Sequence, residues 1–289
     1  MATQGVPYEP YKRSKKSVKL QHDTFVFLMR DPYAKVIAGF NQTLMQAEAT
    51  TIYRWLSLVT SFTKGFQLRP VTLEHGDMPF RYKFGPIGEP VMADANILRT
   101  GNYGWFWEGQ DLDDPNPGVP FIDGVYDQSS FADLIGQKPT ARELELVAGE
   151  EPEYFQKYEN AVLLRKDLIH YWYKNEFAID VEDANRIVRF CELPSEIDAL
   201  LPQHLSATPD VVIASFLRRQ LAWCLRVNVE GGDISEDFPE EKIIHWYQDM
   251  GMAAFDDYLM LERAPEDDKE WDTQLGKAVR DMLKRGQDN

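Results

Sequence analysis

From Lys138 to the end of the chain, apolar residues recur at the spacing of amphipathic helices, and this pattern constrains the fold more than any other feature. Residues 66–137 differ, because they alternate apolar with polar positions or are rich in Gly, Pro and Asp. The change of pattern predicts a domain boundary near 137/138. The expected fold is α+β and predominantly helical, with a bundle-like C-terminal half.

Start and stop residues divide this C-terminal half into separate helices. Pro and capping residues suit the first turn of a helix, whereas Gly pairs and Pro end one. The predicted helices run from Pro152 to about Glu176, from Asp180 through Phe190, from Thr208-Pro209 to Gly231-Gly232, from Pro239 to about Arg263, and from Trp271 to Lys284.

The N-terminal half reads as a mixture of helix and sheet. The run from Phe25 to Met29 is strand-like, and Asp31-Pro32 is a helix-start signal for a long helix that reaches about Lys64 and ends at Gly65. Period-two alternation over 66–73 and 80–84 predicts a small antiparallel sheet. The domain prediction is therefore an extended basic arm (1–19), an α+β domain (20–137) and a helical domain (138–289).

The content of apolar and sulfur-containing residues points to a folded core in a reducing compartment. Apolar residues make up 44% of the chain and aromatic residues 12%, enough for a substantial core. Cys191 and Cys224 lie among apolar neighbours and are expected to be buried, reduced thiols rather than nucleophiles. No cysteine or histidine cluster has metal-ligand spacing, so the sequence predicts neither a metal nor a cofactor.

Charge is distributed unevenly along the chain. Residues 1–100 carry +5, residues 101–137 carry −7 and residues 138–289 carry −14, which together give the net −16. Such a surface disfavours nucleic acid except through the basic arm. The N-terminus lacks an apolar signal segment and no stretch suits a bilayer, so no membrane association is expected and the predicted location is the cytoplasm or a virion.

The basic arm is the first candidate partner-binding element. We expect it to dock by charge on an acidic surface of the C-terminal half, in the same copy or a neighbouring one. The acidic stretches Glu230–Glu241 and Glu266–Asp272 suit docking of a basic partner, although they also fit solvated faces. The arm's basic residues are Lys12, Arg13, Lys15, Lys16 and Lys19.

The second candidate element is the aromatic and acidic passage at 102–137, which is interpreted as a long loop. Its aromatic residues are expected to pack on their own domain or on a partner, and Trp105, Phe106 and Trp107 are assigned to partner binding. The carboxylates at 111, 113 and 114 leave cation or sugar binding open. An EF-hand starting at Asp111 is excluded, because position twelve is Ile122 rather than Glu.

Two histidine–aspartate pairs are the candidates for chemistry. Asp167 and His170 are i, i+3, and His245 and Asp249 are i, i+4, so each pair lies on one face of a predicted helix. The neighbouring Trp and Tyr residues equally suit packed helix positions. Arg218, with Arg219 and Arg226, forms a basic patch that suits ion pairs with nearby acids or an anion site.

Two functions remain open at this point. The chain has no phosphate loop, dinucleotide fingerprint, nucleophile elbow or zincin motif. The leading hypothesis is a non-catalytic structural protein that acts through protein–protein contacts, as a homo-oligomer or within a multi-protein assembly such as a phage or viral particle. The alternative is a hydrolase or other small-molecule enzyme with a site between the two halves.

Overall fold

A computed structural model of the chain describes residues 12–30, 33–60, 65–75, 82–108, 164–206, 209–238 and 242. These residues divide into two compact units. The first unit holds the described residues among 1–49, 64–110 and 229–289, and the second holds those among 50–63 and 111–228. The boundary predicted near 137/138 lies outside the described residues and stays a prediction.

The first unit is built on a five-stranded closed barrel with the strand order β1-β2-β4-β3-β5. All neighbouring strands are antiparallel except β1 and β5, which run parallel and close the ring. The strands are β1 (Thr24–Arg30), β2 (Tyr33–Phe40), β3 (Phe66–His75), β4 (Tyr82–Ile87) and β5 (Gly101–Trp107). The predicted strand at 25–29 and the predicted hairpin of β3 with β4 are both confirmed.

Apolar side chains from four of these strands pack into one cluster. A five-stranded barrel is narrow enough for its own side chains to fill it. The cluster comprises Phe25, Phe27, Ala34, Val36 and Tyr82, with Leu73 and Phe84 against it. Residues of the opposite strand faces, such as Val26 and Leu68, are also fully buried. Burial of both faces explains why β1 reads as a continuous apolar run.

The long helix predicted from Pro32 to about Lys64 is wrong in its first part, whereas residues 42–45 and 49–59 within it are helical. Residues 33–40 form β2, in which Ala34, Val36 and Ala38 are buried at period two. Two helices follow the strand: α2 (Gln42–Met45) and α3 (Ala49–Val59). Asp-Pro suits a turn as well as a helix start, so the dipeptide did not discriminate between the two structures.

Among the described residues, strand β2 pairs with β4 at Ala34 and Tyr82. Near its other end, at 37–39, β2 is bonded by residues 229–231, which return to the barrel from far along the sequence. The Gly39 amide donates to the Val229 carbonyl at 2.8 Å, and the Gly231 amide donates to the Ile37 carbonyl at 2.8 Å. Residues 229–237, named here the return segment, continue through a 3-10 turn at Ile234–Asp237.

The second unit combines helices with a two-stranded hairpin. Its elements are residues 50–59 of α3, α4 (Lys166–Tyr173), β6 (Phe177–Asp180), β7 (Arg186–Arg189), α5 (Ser195–Asp198) and α6 (Val211–Asn228). The helix predicted to open at Thr208-Pro209 is confirmed, with Asp210 accepting the amides of Val212 and Ile213 at 2.9 Å.

The helix predicted from Asp180 through Phe190 is wrong, because these residues form the hairpin of β6 with β7. Ala184 and Asn185 have φ of 48° and 56°, the left-handed conformation used in tight turns. Asp180 is not a helix cap. It is fully buried and accepts hydrogen bonds from the Arg54 guanidinium at 2.6 and 2.9 Å and from Trp55 Nε1 at 2.8 Å.

The expectation of a predominantly helical protein is therefore corrected. The described residues are 35% helical and 31% strand. The C-terminal half is not a helical bundle where it is described, since it contributes the β6–β7 hairpin and the return segment beside β2. The helices predicted after Pro239 lie outside the described residues. Within the described ranges, none of the helices has both the length and the apolar composition needed to cross a membrane.

The Asp180 contacts generate a stability prediction. Asp180→Ala leaves the Trp55 N–H and the half-buried Arg54 guanidinium without their acceptor, and we expect the free energy of unfolding to fall by about 3 kcal/mol. Asp183→Ala serves as the control, because Asp183 is partly exposed and makes a 3.4 Å ion pair with Arg186. Urea unfolding measures both variants. Equal losses for the two would contradict the role assigned to Asp180.

The two thiols generate a second prediction. Cys224 is fully buried in α6, and this burial raises the pKa of its thiol, whereas Cys191 is only half-buried. We expect a maleimide to label Cys191 in the folded chain and to reach Cys224 only on unfolding. Mass spectrometry of the Cys191→Ser variant after maleimide treatment measures labelling at Cys224 alone. Rapid labelling of that variant under native conditions would show that Cys224 is accessible.

Candidate functional site: the N-terminal docking segment

Residues 12–20, named here the docking segment, are the described part of the predicted arm. The prediction of an extended arm is wrong for residues 15–19, which form helix α1 (Lys15–Lys19). Ser14 caps this helix by accepting the Ser17 amide at 3.2 Å. Ser14 and Ser17 are both buried, and so is the apolar Leu20 that follows α1, so small polar residues pack alongside an apolar one in this segment.

The docking segment binds the return segment of the same chain. The Ser14 amide donates to the Gly232 carbonyl at 3.0 Å, and Arg13 forms an antiparallel bridge with Asp233. The Lys15 amide donates to both carboxylate oxygens of Asp237, at 3.1 and 2.8 Å. These contacts join residues more than 200 positions apart and place a basic segment on an acidic one.

Two consecutive glycines shape the return segment for this contact. Gly231 and Gly232 have φ of 73° and 125°, conformations that side chains rarely adopt. A Cβ on Gly231 would lie 2.3 Å from a carboxylate oxygen of Glu236, and one on Gly232 would lie 2.7 Å from Ser17 Oγ. The glycines that were predicted to end the preceding helix therefore also provide room for the docked segment.

Lys16 and Glu236 form the half-buried, charged centre of the site. Lys16 Nζ donates to the Glu230 carbonyl, and Glu236 accepts the Gly232 amide at 2.9 and 3.0 Å. Burial lowers the pKa of Lys16 against the opposing effect of Glu236 and Glu230. Burial also raises the pKa of Glu236, although Lys16 and the Gly232 amide act in the opposite direction. Desolvation thus opposes both charges, and their mutual contact compensates for only part of it.

A buried histidine connects the docking segment to the barrel. His22 is fully buried, and its Nδ1 lies 3.2 Å from Ser17 Oγ. A Cβ on Gly39 of β2 would lie 2.4 Å from the same nitrogen, so glycine there makes room for the ring. Sequence reasoning did not identify His22, Ser17 or Gly39, because only the fold brings them together.

The remaining basic residues of the predicted arm also have defined places. The Lys12 amide donates to Tyr82 Oη at 3.1 Å, which brings the segment to a residue of the barrel cluster. Arg13 Nη1 donates to the His22 carbonyl at 2.8 Å, and Lys19 is exposed on α1. The acidic stretch beginning at Glu230, considered from the sequence as a docking surface, is the stretch that the segment contacts.

The aromatic trio lies elsewhere and has a different environment from the one expected. Trp105, Phe106 and Trp107 belong to β5 rather than to a loop, and all three are at least 92% buried. Trp105 stacks on Phe66 with ring centroids 3.5 Å apart, and Phe106 contacts Phe84 at 5.6 Å. The structure therefore corrects their assignment to a partner-binding loop: they pack within the barrel unit.

The structure describes one of the two histidine–aspartate pairs that the sequence analysis singled out. Asp167 of α4 pairs with Arg165 at 3.1 Å, and His170 is exposed on the same helix. His245, Asp249 and the carboxylates at 111, 113 and 114 lie outside the described residues. Among the residues that are described, no three His, Cys, Asp or Glu side chains form a group able to hold a metal ion.

The predicted basic patch takes part in an ion-pair network. Arg218 pairs with Glu182 at 2.9 Å, which agrees with the ion-pairing interpretation for this residue.

Comparisons of the chain with protein-family models, with curated proteins and with solved structures find no match. The function must therefore be inferred from the chain's own residues.

The raised pKa of Glu236 gives a pH prediction. A carboxyl group whose folded-state pKa exceeds its ordinary 4.5 stabilises the fold fully below pH 4.5, and this contribution is lost as the pH rises through the folded-state pKa. Glu236→Gln removes this titration. We expect the stability of the variant relative to the unmodified chain to decrease as the pH falls from 7 towards 4.5.

Urea unfolding at several pH values measures this difference. Glu89→Gln removes an exposed carboxylate from the same unit and controls for the loss of one charge. The assignment would be contradicted if the stability of Glu236→Gln relative to the unmodified chain stayed constant, or rose, as the pH falls.

Proposed function

We propose that the chain is a non-catalytic structural protein that acts through protein–protein contacts in a larger assembly, such as a phage or viral particle. The observation that carries this proposal is the docking of a basic N-terminal segment on an acidic segment of protein. A segment that recognises an acidic protein surface within its own chain has the chemistry needed to recognise one on another subunit. The expected partners are therefore other protein subunits, including further copies of this chain.

The charge of the whole chain supports protein rather than nucleic acid as the partner. The net charge is −16, the backbone amide of Lys15 is bound by the Asp237 carboxylate, and the Lys16 ammonium interacts electrostatically with Glu236 and Glu230. A phosphate backbone would have to compete with these carboxylates for Lys15 and its neighbours while the rest of the surface repels it.

An exposed loop of the barrel unit adds a possible contact surface. Met92 and Ile97 are 71% and 56% exposed, in a passage whose ends are held in place. The Val91 amide donates to the Leu68 carbonyl at 2.8 Å, and the Leu98 amide donates to the Ala47 carbonyl at 3.1 Å. Apolar side chains on a fixed loop lose little conformational entropy when a partner covers them, which favours subunit contacts.

The alternative is an enzyme with a site between the two predicted halves. It depends largely on His245, Asp249 and the carboxylates at 111, 113 and 114, which lie outside the described residues. No contact in the described ranges favours it over the assembly function.

The proposal predicts association that depends on charge and salt. Exposed ion pairs contribute about 0.2–1 kcal/mol each, so we expect Lys15→Glu with Lys19→Glu to weaken self-association by roughly tenfold at low salt. High salt should reduce association of the unmodified chain in the same direction. Sedimentation velocity over a range of protein concentrations measures both effects.

A matched control applies the same charge change elsewhere. Lys166→Glu with Lys174→Glu reverses two exposed lysines at α4, in the second unit. Equal association of the two double variants at every salt concentration, with circular dichroism showing both folded, would count against the docking segment as an assembly element.

A further inference from the structure

The docking segment behaves as one discrete element. In the described part of the chain, the long-range hydrogen bonds of residues 13–17 all end on the return segment. They include the Ser14 amide to the Gly232 carbonyl at 3.0 Å and the Lys15 amide to Asp237 at 2.8 Å. The two ends of the docking segment bond elsewhere, since the Lys12 amide donates to Tyr82 Oη and the Leu20 carbonyl accepts Asn41 Nδ2, each at 3.1 Å. A segment whose central residues share one acceptor surface can leave and rebind as a unit.

The acceptor surface is built by contacts that do not involve the docking segment. Val229 and Gly231 are hydrogen-bonded to β2, each at 2.8 Å. Glu236 holds the loop by accepting the Gly232 amide, and its own amide donates to the Asp233 carbonyl at 3.1 Å. The return segment therefore keeps its shape when residues 12–20 depart, and it presents the same surface to another occupant.

The connection between α1 and β1 is short and contains an unfavourable residue. The His22 amide bonds the Ser17 carbonyl and the Gln21 amide bonds the Val18 carbonyl, the pattern of a Schellman helix end. Glycine is the usual residue at the left-handed position of this motif, but Gln21 occupies it with φ of 55° and is exposed.

Asp23 fixes the far end of this connection. Its amide donates to the Phe40 carbonyl at 2.9 Å, and its carboxylate accepts the amides of Gln42 and Thr43. Opening at Gln21 thus releases residues 12–20 and breaks their hydrogen bonds to Tyr82, Asn41 and the return segment, whereas the backbone pairing between the barrel strands is kept. Short hinges that hold a residue in an unfavourable conformation promote exchange of segments between copies.

We propose that a second copy of this chain is a partner, and that two copies exchange their docking segments through opening of the hinge at Gln21. This inference rests on the proposed function and specifies its partner. Each return segment then binds residues 12–20 of the other copy, so the contacts made within one chain are re-formed between two chains. Ser17 of the second copy takes its place beside His22, which stays over Gly39.

The length of the segment allows this exchange. Ten residues from Lys12 to Gln21 span about 33 Å when extended, which is enough to reach a neighbouring copy. The second copy is favoured over an unrelated basic peptide, because its segment has the serines that fit Gly232 as well as the lysines that suit the carboxylates.

Cross-linking of two chains, each with one introduced cysteine besides the buried Cys224, tests the proposal. One chain carries Lys15→Cys and the other Asp237→Cys with a size tag, both in a Cys191→Ser background. The two purified chains are mixed at high concentration, incubated, oxidised and analysed on a denaturing gel without reductant. Exchange predicts a linked heterodimer whose yield increases with incubation time and falls when excess unmodified chain competes.

The double variant Lys15→Cys/Asp237→Cys shows whether this pair can be linked at all. At low protein concentration it must form the link within one chain. Suppose that the double variant forms this link. Exchange is then overturned if the mixture of Lys15→Cys and Asp237→Cys chains gives no more heterodimer than the Lys15→Cys chain alone gives homodimer. If the double variant does not form the link, the bridge partners Arg13→Cys and Asp233→Cys replace the pair, because Cα atoms of bridged residues lie within disulfide range.

Substitutions at the hinge provide a second, independent measurement. Gln21→Gly relaxes the left-handed conformation and should lower the heterodimer yield several-fold. Gln21→Pro cannot adopt φ of 55° and should raise it. Equal yields for both variants would overturn the hinge assignment.

Sedimentation velocity of the same samples separates this inference from the proposed function. A chain that associates but gives no heterodimer overturns exchange and leaves the assembly function in place. A chain that stays monomeric at all concentrations and forms no heterodimer contradicts both exchange and homo-oligomeric assembly.

Discussion

The open edge of β2 is the constraint on which the first unit depends. Backbone amides and carbonyls of a buried strand must find partners, and within the part of the chain that the structure describes β4 supplies the pair of Ala34 with Tyr82. The Gly39 amide and the Ile37 carbonyl are instead satisfied by Val229 and Gly231. A barrel made from the first third of the chain is therefore completed by residues that follow α6. Because of this pairing, the N-terminal and C-terminal parts of the sequence meet in one unit, and no simple cut between two halves would preserve it.

The return segment serves two purposes because of how it must turn. After pairing with β2, the chain passes through Gly231 and Gly232 in conformations that only glycine adopts easily. The absence of side chains leaves the Gly232 carbonyl open to Ser14 and Ser17 and brings Glu236 back to the Gly232 amide. The same residues of the return segment thus complete the barrel and form the acidic docking surface. This coupling explains why the acidic stretch lies directly after the helix that ends at Asn228.

Local signals in the sequence predicted some elements well and failed where distant residues decide the structure. Alternation identified the β3–β4 hairpin, and capping chemistry identified α6. The same alternation was present in β2, but small residues at Ala34 and Ala38 made it weak beside the Asp-Pro signal. Asp180 resembled a helix cap because nothing local shows that Arg54 and Trp55 surround it. Charge patterning pointed to a basic and an acidic stretch that lie together in the fold, although backbone amides make many of their contacts, and the contribution of His22 and Gly39 depends wholly on the fold.

The two buried charge clusters differ in a way that bears on assembly. Asp180 is fully buried and accepts hydrogen bonds from two side chains of α3 and from the Glu182 amide, so removing its carboxylate leaves several donors without their acceptor. Lys16 and Glu236 are held differently, since burial shifts the pKa of each towards its neutral form and the backbone supplies many of their contacts. The net stabilisation from such a pair is small, because desolvation offsets most of the attraction. A contact that is specific in shape but modest in strength can be broken and re-formed, and this property is what a docking segment shared between subunits requires.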